Sequence, residues 1–414
     1  MSYEKKKLKD CCVSISDGDH QPPPKAEAGI PFITISNINS NNQLDFSDVM
    51  YVPEDYYDSL PSNKKASVGD ILYSVVGSFG KPVYISNDDK FVFQRHIAIL
   101  KPTDEMDGKY LYYTMLNPMF YRMADKLAIG CAQRTITLDS LRNIIVDIPP
   151  IEKQKKISDV LNAIDGKIAV NNRINDNLQQ QLRLLYDYWF TQFDFPDENG
   201  KPYRSSGGQM VWNYQLKKYI PKSWHCALLR DVLKQTGTGI NNVKGKEHLF
   251  YTPVDIIPQR TISFAGGLDA LKANSSLQLY EKDDILLGAM RVYFHRVCIA
   301  AQNGITRTTT MILKPVNGEN YLGYAYSVLN DDRTILYANQ NSSGTQQPYI
   351  NWNDALEKYP FAAPDDQNLM LKYSQLVRPL IKEAQTRSLE NCQLQKLRDW
   401  LLPMLMNGQA TISD

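Results

Sequence analysis

The fold is decided by a short stretch that occurs twice, first as Val68-Gly69-Asp70-Ile71-Leu72 and again, 214 positions later, as Lys282-Asp283-Asp284-Ile285-Leu286. Each copy consists of an acidic turn followed by the start of an apolar strand. Self-similarity at a fixed offset is the signature of a repeated structural unit. We therefore interpret the chain as two diverged copies of one domain.

Four further features follow this stretch in the same order in both copies. They are an aromatic, turn-rich segment (77–85 and 291–299), an apolar strand ending in Lys-Pro (97–102 and 311–315), an aromatic helix-like segment (110–121 and 321–329) and a polar loop (130–136 and 344–350). Each copy closes at a proline, Pro150 or Pro364. Six features in one order at a nearly constant offset are hard to obtain by chance.

A long helical pattern follows each copy. In the first pattern, seam residues recur at alternating spacings of four and three from Ile157 to Trp189, which is typical of a coiled-coil seam roughly 50 Å long. The second pattern runs from about Gln367 to Leu402. An ordinary amphipathic core helix is the alternative to a coiled coil. The predicted seam residues are Ile157, Leu161, Ile164, Ile168, Asn171, Asn175, Leu178, Leu182 and Leu185 in the first helix and Val377, Ile381, Asn391 and Leu394 in the second.

Short strand-like runs, such as 30–35 and 71–76, are separated by Asn, Gly, Pro and Asp. This pattern predicts an α+β fold with mixed, mostly curved β-sheet. We expect two globular domains joined by two long helices that form an antiparallel coiled coil. The expected boundaries are 1–149 for the first domain, 150–195 for the first helix, 196–363 for a polar linker and the second domain, and 364–414 for the second helix.

Composition leaves the function open. The net charge is +1, although residues 1–149 carry a net charge of −3 and residues 201–363 a net charge of +6. A strongly basic chain would indicate nucleic acid, and this chain is not one. Neither a membrane span nor a secretory signal is expected, and the six cysteines without a CxxC pair predict free thiols in a reducing cytoplasm.

Motifs for catalysis are incomplete. The stretch Gly239 to Glu247 is one residue too long for a phosphate-binding loop and ends in Glu instead of Ser or Thr. Asn117-Pro118-Met119-Phe120 is similar to the Asn-Pro-Pro-aromatic motif of amino-methyltransferases, but Met replaces the second Pro, and a helix-capping turn is the better interpretation. The acidic pair Asp283-Asp284 is expected to be solvated rather than part of a nuclease site. We predict no catalytic site and no metal site in this chain.

Polar loops rich in Gln, Asn, Thr and Arg remain as candidates for function. Gln and Asn can pair with adenine, and Arg with guanine, in the major groove of DNA. Such loops recur at equivalent places in both copies, and this recurrence favours DNA contact over an ordinary solvated surface. The candidate DNA-binding residues are His20, Lys25, Lys81, Gln133, Arg134 and Thr135 in the first copy and Asn242, Lys244, Arg291, Arg307, Gln346 and Gln347 in the second.

Taken together, these segments resemble the specificity subunit of Type I restriction–modification systems. The strongest match is Ile148-Pro149-Pro150-Ile151-Glu152-Lys153-Gln154-Lys155-Lys156-Ile157, which continues into the first long helix and ends in Tyr188-Trp189-Phe190-Thr191-Gln192-Phe193-Asp194. It looks like the central conserved helix of that family. The second helix departs more, because Ala363-Pro364-Asp365-Asp366-Gln367 stands where the family often has Pro-Pro-x-x-Glu-Gln.

This resemblance implies two target-recognition domains, each reading one half of a split double-stranded DNA site, with the helices setting the gap. It also implies two adenine-N6 methyltransferase subunits and restriction–translocase subunits as partners. S-adenosylmethionine, ATP and Mg²⁺ would belong to those partners, so no cofactor is expected on this chain. The alternatives are a stand-alone DNA methyltransferase or nuclease, and a coiled-coil scaffold without a DNA role.

Overall fold

The computed structural model describes residues 3–18, 20, 22–39, 42–130, 133–274 and 276–412. The chain divides into two compact units, of which unit 1 comprises Met1–Gly166 and Gln395–Asp414, and unit 2 comprises Lys167–Leu394. Helices and strands are mixed in both units, as the α+β prediction requires. The α+β part of the fold prediction is therefore confirmed.

Unit 1 contains nine strands and four short helices among its described residues, together with parts of two long helices. The strands are β1 (Glu4–Lys7), β2 (Cys12–Asp17), β3 (Ile30–Ile33), β4 (Met50–Val52), β5 (Ile71–Ser74), β6 (Pro82–Tyr84), β7 (Val92–Phe93), β8 (Ile97–Pro102) and β9 (Ile145–Ile148). The helices are α1 (Glu54–Ser59), α2 (Gly108–Leu116), α3 (Pro118–Leu127), α4 (Leu138–Arg142) and the start of α5 (Ile151–Tyr186).

Unit 2 contains fourteen strands among its described residues. They are β10 (Met210–Asn213), β11 (Lys218–Pro221), β12 (Trp224–Leu228), β13 (Leu233–Thr236), β14 (Thr238–Ile240), β15 (Phe250–Tyr251), β16 (Ser263–Phe264), β17 (Leu268–Asp269), β18 (Leu277–Tyr280), β19 (Ile285–Gly288), β20 (Val297–Ala300), β21 (Gly304–Arg307), β22 (Thr310–Pro315) and β23 (Pro360–Pro364). Its helices are α6 (Leu322–Leu329), α7 (Asp332–Gln340) and most of α8 (Gln367–Met406), and a single π-helical turn, Asp187–Thr191, ends α5.

The two units have the same sheet order. In unit 1 the main sheet runs β2-β8-β5-β6, and in unit 2 the corresponding sheet runs β13-β22-β19-β20 with β16 added. The central strand β8 contains a run of four residues, Ile97 to Leu100, that are 0% exposed, as expected for a strand buried on both faces. Outside this sheet, β1 pairs with β9, as β12 does with β23. The sequence repeat is thus a structural repeat.

A buried ion pair also recurs at the acidic turn of each copy. Asp70 lies 2.5 Å from Lys101 in unit 1, and Asp284 lies 3.3 Å from Lys314 in unit 2. The prediction that Asp283-Asp284 is solvated is wrong for Asp284, which is 3% exposed. Burial raises the pKa of the Asp284 carboxyl, while the backbone N–H of Glu281 and the Lys314 ammonium act in the opposite direction. Its partner and its recurrence give this carboxylate a structural role.

The aromatic segment predicted as one helix over 110–121 is two helices. Asn117 ends α2 and caps α3, because its side-chain oxygen accepts a hydrogen bond from the backbone N–H of Met119 at 2.9 Å. Asp331 makes the equivalent contact with the N–H of Arg333 at 2.8 Å, at the start of α7. A helix cannot continue unbroken through a residue whose backbone is extended, as Asn117 is. The interpretation of the Asn-Pro pair as a capping turn is confirmed.

The long helices pack through their predicted seams within each unit. In unit 1, Ile157 and Leu161 of α5 share one core with Leu402 and Leu405 of α8. Arg398 lies 3.0 Å from Asp165 in the same unit. Helices that carry an apolar stripe are held mainly by such tertiary packing.

In unit 2, the two helices run antiparallel. Asn171 of α5 donates to Asn391 of α8 at 2.8 Å, whereas the Tyr373 hydroxyl, earlier in α8, donates to the carbonyl of Leu182, later in α5. Asn391 in turn donates to Asn172 at 2.8 Å. The seam positions Ile157, Leu161, Ile164, Ile168, Asn171, Leu182, Val377, Ile381 and Asn391 are buried, and Asn175, Leu178, Leu185 and Leu394 are half-buried.

Candidate nucleic-acid interface

The candidate loops of unit 1 leave one end of its main sheet. At this end Gly18 donates its N–H to Ile97 at 3.1 Å, Val75 donates to His96 at 2.9 Å, and Ile136 donates to Val75 at 2.9 Å. These bonds connect the end of β2, the start of β8, the end of β5 and the segment that follows the polar loop. His20 therefore follows β2 and Lys81 follows β5 at this end, and the segment after the loop with Gln133 joins the end of β5 there; residues 131 and 132 lie outside the described ranges.

The polar loop of unit 1 is closed by backbone hydrogen bonds. Thr135 and Ile129 exchange two of them, at 2.9 and 2.8 Å, and Gly77 donates its N–H to the carbonyl of Arg134 at 2.9 Å. Gln133 is exposed. Its amide nitrogen lies 3.5 Å from the place that a Cβ atom on Gly77 would occupy. The loop is therefore anchored at its base, with the side chain of Gln133 exposed.

Arg134 has a partner within unit 1. Its Nη2 lies 2.6 Å from a carboxylate oxygen of Asp125 on α3, and its Nε donates to the same oxygen at 3.2 Å. Both side chains are less than half exposed, at 41% and 45%. In the free chain Arg134 thus braces the loop against α3. A base contact by Arg134 remains a prediction and requires the guanidinium to share or leave this pair.

The remaining candidates of unit 1 make separate contacts of their own. His20 is exposed and pairs with Asp17 at 2.7 Å through Nε2. Lys25 is exposed, and Lys81 is half-buried, with its ammonium 3.5 Å from the carbonyl of Ile38. Their roles in binding stay predictions.

In unit 2 the corresponding loops leave the corresponding sheet end. Ala289, just after β19, donates its N–H to Thr309 at 2.9 Å and accepts from Ile350 at 3.0 Å. Ser343 and Tyr349 exchange two backbone bonds, at 2.9 and 2.8 Å, as Ile129 and Thr135 do in unit 1. Both residues of each pair are related by the offset of 214. The two copies therefore anchor their polar loops in the same way.

A second sheet of unit 2 brings more candidates to this end. Ile240, Leu277 and Arg307 lie side by side across β14, β18 and β21. The loop with Asn242 and Lys244 follows directly after β14. Both side chains are exposed, and Asn242 accepts a hydrogen bond from the N–H of Lys244 at 3.0 Å.

Arg307 is half-buried at the end of β21, and its Nε has no hydrogen-bond partner among the described residues. It lies beside Tyr251: burial raises the pKa of the Tyr251 hydroxyl, and Arg307 opposes that rise. An arginine with an unsatisfied buried donor has capacity for another acceptor.

The loop with Gln346 and Gln347 is tied to its surroundings at two points. The Tyr349 hydroxyl donates to the carbonyl of Thr308 at 3.2 Å, and Arg291 donates to the carbonyl of Gln346 at 3.2 Å. Gln346 and Gln347 are themselves exposed. Anchors such as Tyr349 and Asp125 were not expected from the sequence, since nothing in the local pattern marks them.

The described residues show no arrangement for catalysis at the positions that the sequence singled out. The carboxylate of Glu247 accepts a hydrogen bond from the N–H of Gly245 at 3.0 Å, and so takes a donor that a phosphate-binding loop would offer to its ligand. Within the described ranges, no group of three or more His, Cys, Asp or Glu side chains could hold a metal ion. No helix among the residues that the structure describes is long and apolar enough to cross a membrane.

Comparison with known proteins finds one matching family model and several similar proteins. Residues 2–180 match the model of the Type I restriction modification DNA specificity domain. The chain is 24% identical over 327 residues to the Type I restriction enzyme MjaIX specificity subunit of Methanocaldococcus jannaschii. The alignment covers 76% of this chain and 71% of that protein. The chain is 29% identical over 143 residues to the HindI specificity subunit of Haemophilus influenzae. This alignment covers 33% of this chain and 31% of that protein.

The fold is also similar to that of a solved structure, the Type I restriction–modification S subunit from M. genitalium. The TM-score is 0.53 at 15% sequence identity, and the match covers 100% of this chain and 97% of that one. Fold and sequence therefore agree, and the resemblance inferred from the motifs is confirmed: residues 2–180 of this chain match the model of the Type I restriction modification DNA specificity domain.

Proposed function

We propose that this chain recognises a split double-stranded DNA site for a Type I restriction–modification complex, with unit 1 and unit 2 each reading one half. One observation carries this proposal. The polar loops 129–135 and 343–349 are held by the same backbone hydrogen bonds, at the same end of the same sheet, with an offset of 214. Since residues 2–180 match the DNA specificity domain, the repeat extends that role to the second copy.

In this proposal the long helices set the gap between the half-sites and dock the partner subunits. The expected partners are two methyltransferase subunits and, for restriction, translocase subunits. Adenine methylation with S-adenosylmethionine and ATP-dependent restriction with Mg²⁺ belong to those partners. The boundaries at 149, 195 and 363 are the proposed functional division of the chain.

A stand-alone methyltransferase or nuclease is less well supported. Asn117 is engaged in capping α3, and the buried carboxylate of Asp284 is paired with Lys314. A scaffold without a DNA role would leave the exposed, recurrent polar loops without a purpose. The DNA-reading function explains these loops and the helices together.

The proposal is tested with matched variants, Gln133→Ala and Gln347→Ala, at positions related by the offset of 214. Each variant is assembled with the cognate methyltransferase, and binding is measured by competition with DNAs substituted one base pair at a time. We expect each variant to lose about 1–3 kcal/mol of discrimination at one half-site, the usual worth of a bidentate side chain–base contact. The two variants should affect opposite halves.

Two results would contradict the proposal. Wild-type complex without any sequence preference would remove the function itself. Two variants that relax the same half-site would show that the copies do not read separate halves. A uniform loss of affinity for all sequences would instead assign both glutamines to the phosphate backbone.

A further inference from the structure

The second copy differs from the first at one residue that lies directly against its polar loop. Arg291 donates its backbone N–H to the carbonyl of Pro348 at 2.7 Å, and its guanidinium Nη2 donates to the carbonyl of Gln346 at 3.2 Å. We propose that Arg291 is a positioning residue, which holds the loop 343–349 so that Gln346 and Gln347 face the DNA in a fixed orientation. This inference rests on the proposed function.

The equivalent residue of the first copy is Gly77. Gly77 donates its N–H to the carbonyl of Arg134 at 2.9 Å, as Arg291 does to Pro348. Both residues have a left-handed backbone, with φ values of +70° and +51°. The backbone contact therefore needs no side chain, and what Arg291 adds to the second copy is its guanidinium.

Arginine is an unfavourable residue for this backbone conformation. Glycine adopts a positive φ without steric cost, whereas a residue with a Cβ atom is strained there. Strain at a single position persists only when the surroundings compensate for it, and it points to a role of the side chain. The contact of Arg291 with Gln346 supplies such compensation.

The position of Gly77 and Arg291 also lies close to the polar loop. In the first copy the amide nitrogen of Gln133 lies 3.5 Å from the place that a Cβ of Gly77 would occupy. Gln347 is the counterpart of Gln133, but in the second copy this place holds the Cβ of Arg291 itself. Gln347 is exposed. A Cβ atom at that distance makes an ordinary van der Waals contact, so a side chain fits at this position, and in the second copy the guanidinium of Arg291 holds the loop through the carbonyl of Gln346.

The test uses Arg291→Gly, which installs the residue of the first copy and relieves the strained backbone. Arg291→Lys keeps the charge but replaces the planar fork with a single ammonium. Lys282→Ala removes an exposed cation just before β19, outside the loop and outside the candidate DNA-binding residues, and serves as the control. Amide hydrogen exchange is measured on the DNA-free chain, and base discrimination is measured on the complex with the cognate methyltransferase.

For Arg291→Gly we expect faster exchange of the amides of 343–350 and an unchanged melting temperature or a higher one. Discrimination at the second half-site should fall roughly tenfold, with the first half-site unaffected. Arg291→Lys should retain only part of the wild-type protection of these amides and only part of the discrimination at the second half-site. Lys282→Ala should leave both the exchange of the loop and the base discrimination unchanged.

Exchange that stays at the wild-type rate in Arg291→Gly would overturn the proposal, even if DNA binding weakens, because the arginine would then act on DNA directly. Faster exchange without loss of discrimination would also overturn it. The exchange measurement needs no DNA. A wild-type complex that shows no sequence preference would refute the proposed function, and this result is distinguishable from failure of the role of Arg291.

Discussion

Leu182→Asp is expected to destabilise unit 2 by about 3–5 kcal/mol, the usual cost of an uncompensated buried charge. Leu182 is 1% exposed and lies in the largest core of the unit. Its carbonyl accepts a hydrogen bond from the hydroxyl of the buried Tyr373 on α8. A carboxylate at this position therefore has to remain buried without a partner, or the helices must separate. Thermal unfolding and assembly with the methyltransferase would report the loss.

Leu184→Asp provides the matched control on the same helix. Leu184 is 67% exposed, so the same substitution should change the free energy of unfolding by no more than about 0.5 kcal/mol. Equal stability of the two variants would contradict the packing of α5 against α8 in unit 2.

The second large effect concerns the gap between half-sites. Four residues inserted after Gly166, together with four after Leu394, lengthen both helices where the units meet along the chain. Gly166 is exposed, with nothing within 4 Å of its Cβ position. The insertion adds about 6 Å and about one helical turn to each helix. The pairs Asp165–Arg398 and Asn171–Asn391 lie on either side of the insertions and can both be kept.

At a rise of about 3.4 Å per base pair, we expect the gap to grow by roughly two base pairs, with both half-site sequences unchanged. The measurement is the map of methylated sites in cells that carry the variant and the methyltransferase. Four residues inserted after Gly200, an exposed turn with nothing near its Cβ position, should leave the gap unchanged. A methylating double insertion with the wild-type gap would disprove the role of the helices as a spacer.

The repeated stretches and the regular spacing of seam residues were sufficient to predict the structural repeat and the long helices. Strand β5 and its counterpart β19 lie where the repeated stretch predicted them. The seam from Ile157 onward was visible because apolar burial follows the helical period. These features depend on local pattern, which a single sequence displays directly.

The details of the site depend on contacts between distant residues, and the sequence could not reveal them. Asp125 became the partner of Arg134 only because α3 ends beside the polar loop. Asp284 was expected in solvent because its partner, Lys314, lies 30 positions away in the sequence. An ion pair between such distant residues leaves no periodic pattern in the sequence. The left-handed backbone of Arg291 was hidden for another reason, namely that glycine, not arginine, is the residue that marks such a turn.

The proposed function requires that one chain reads two separate half-sites through two copies of one domain. The most direct test is to map methylated adenines in the genome of cells that express this chain with its cognate methyltransferase. We expect a motif of two specific halves, separated by a gap that has a constant length and in which any base is accepted. An uninterrupted motif, or methylation without a motif, would contradict it.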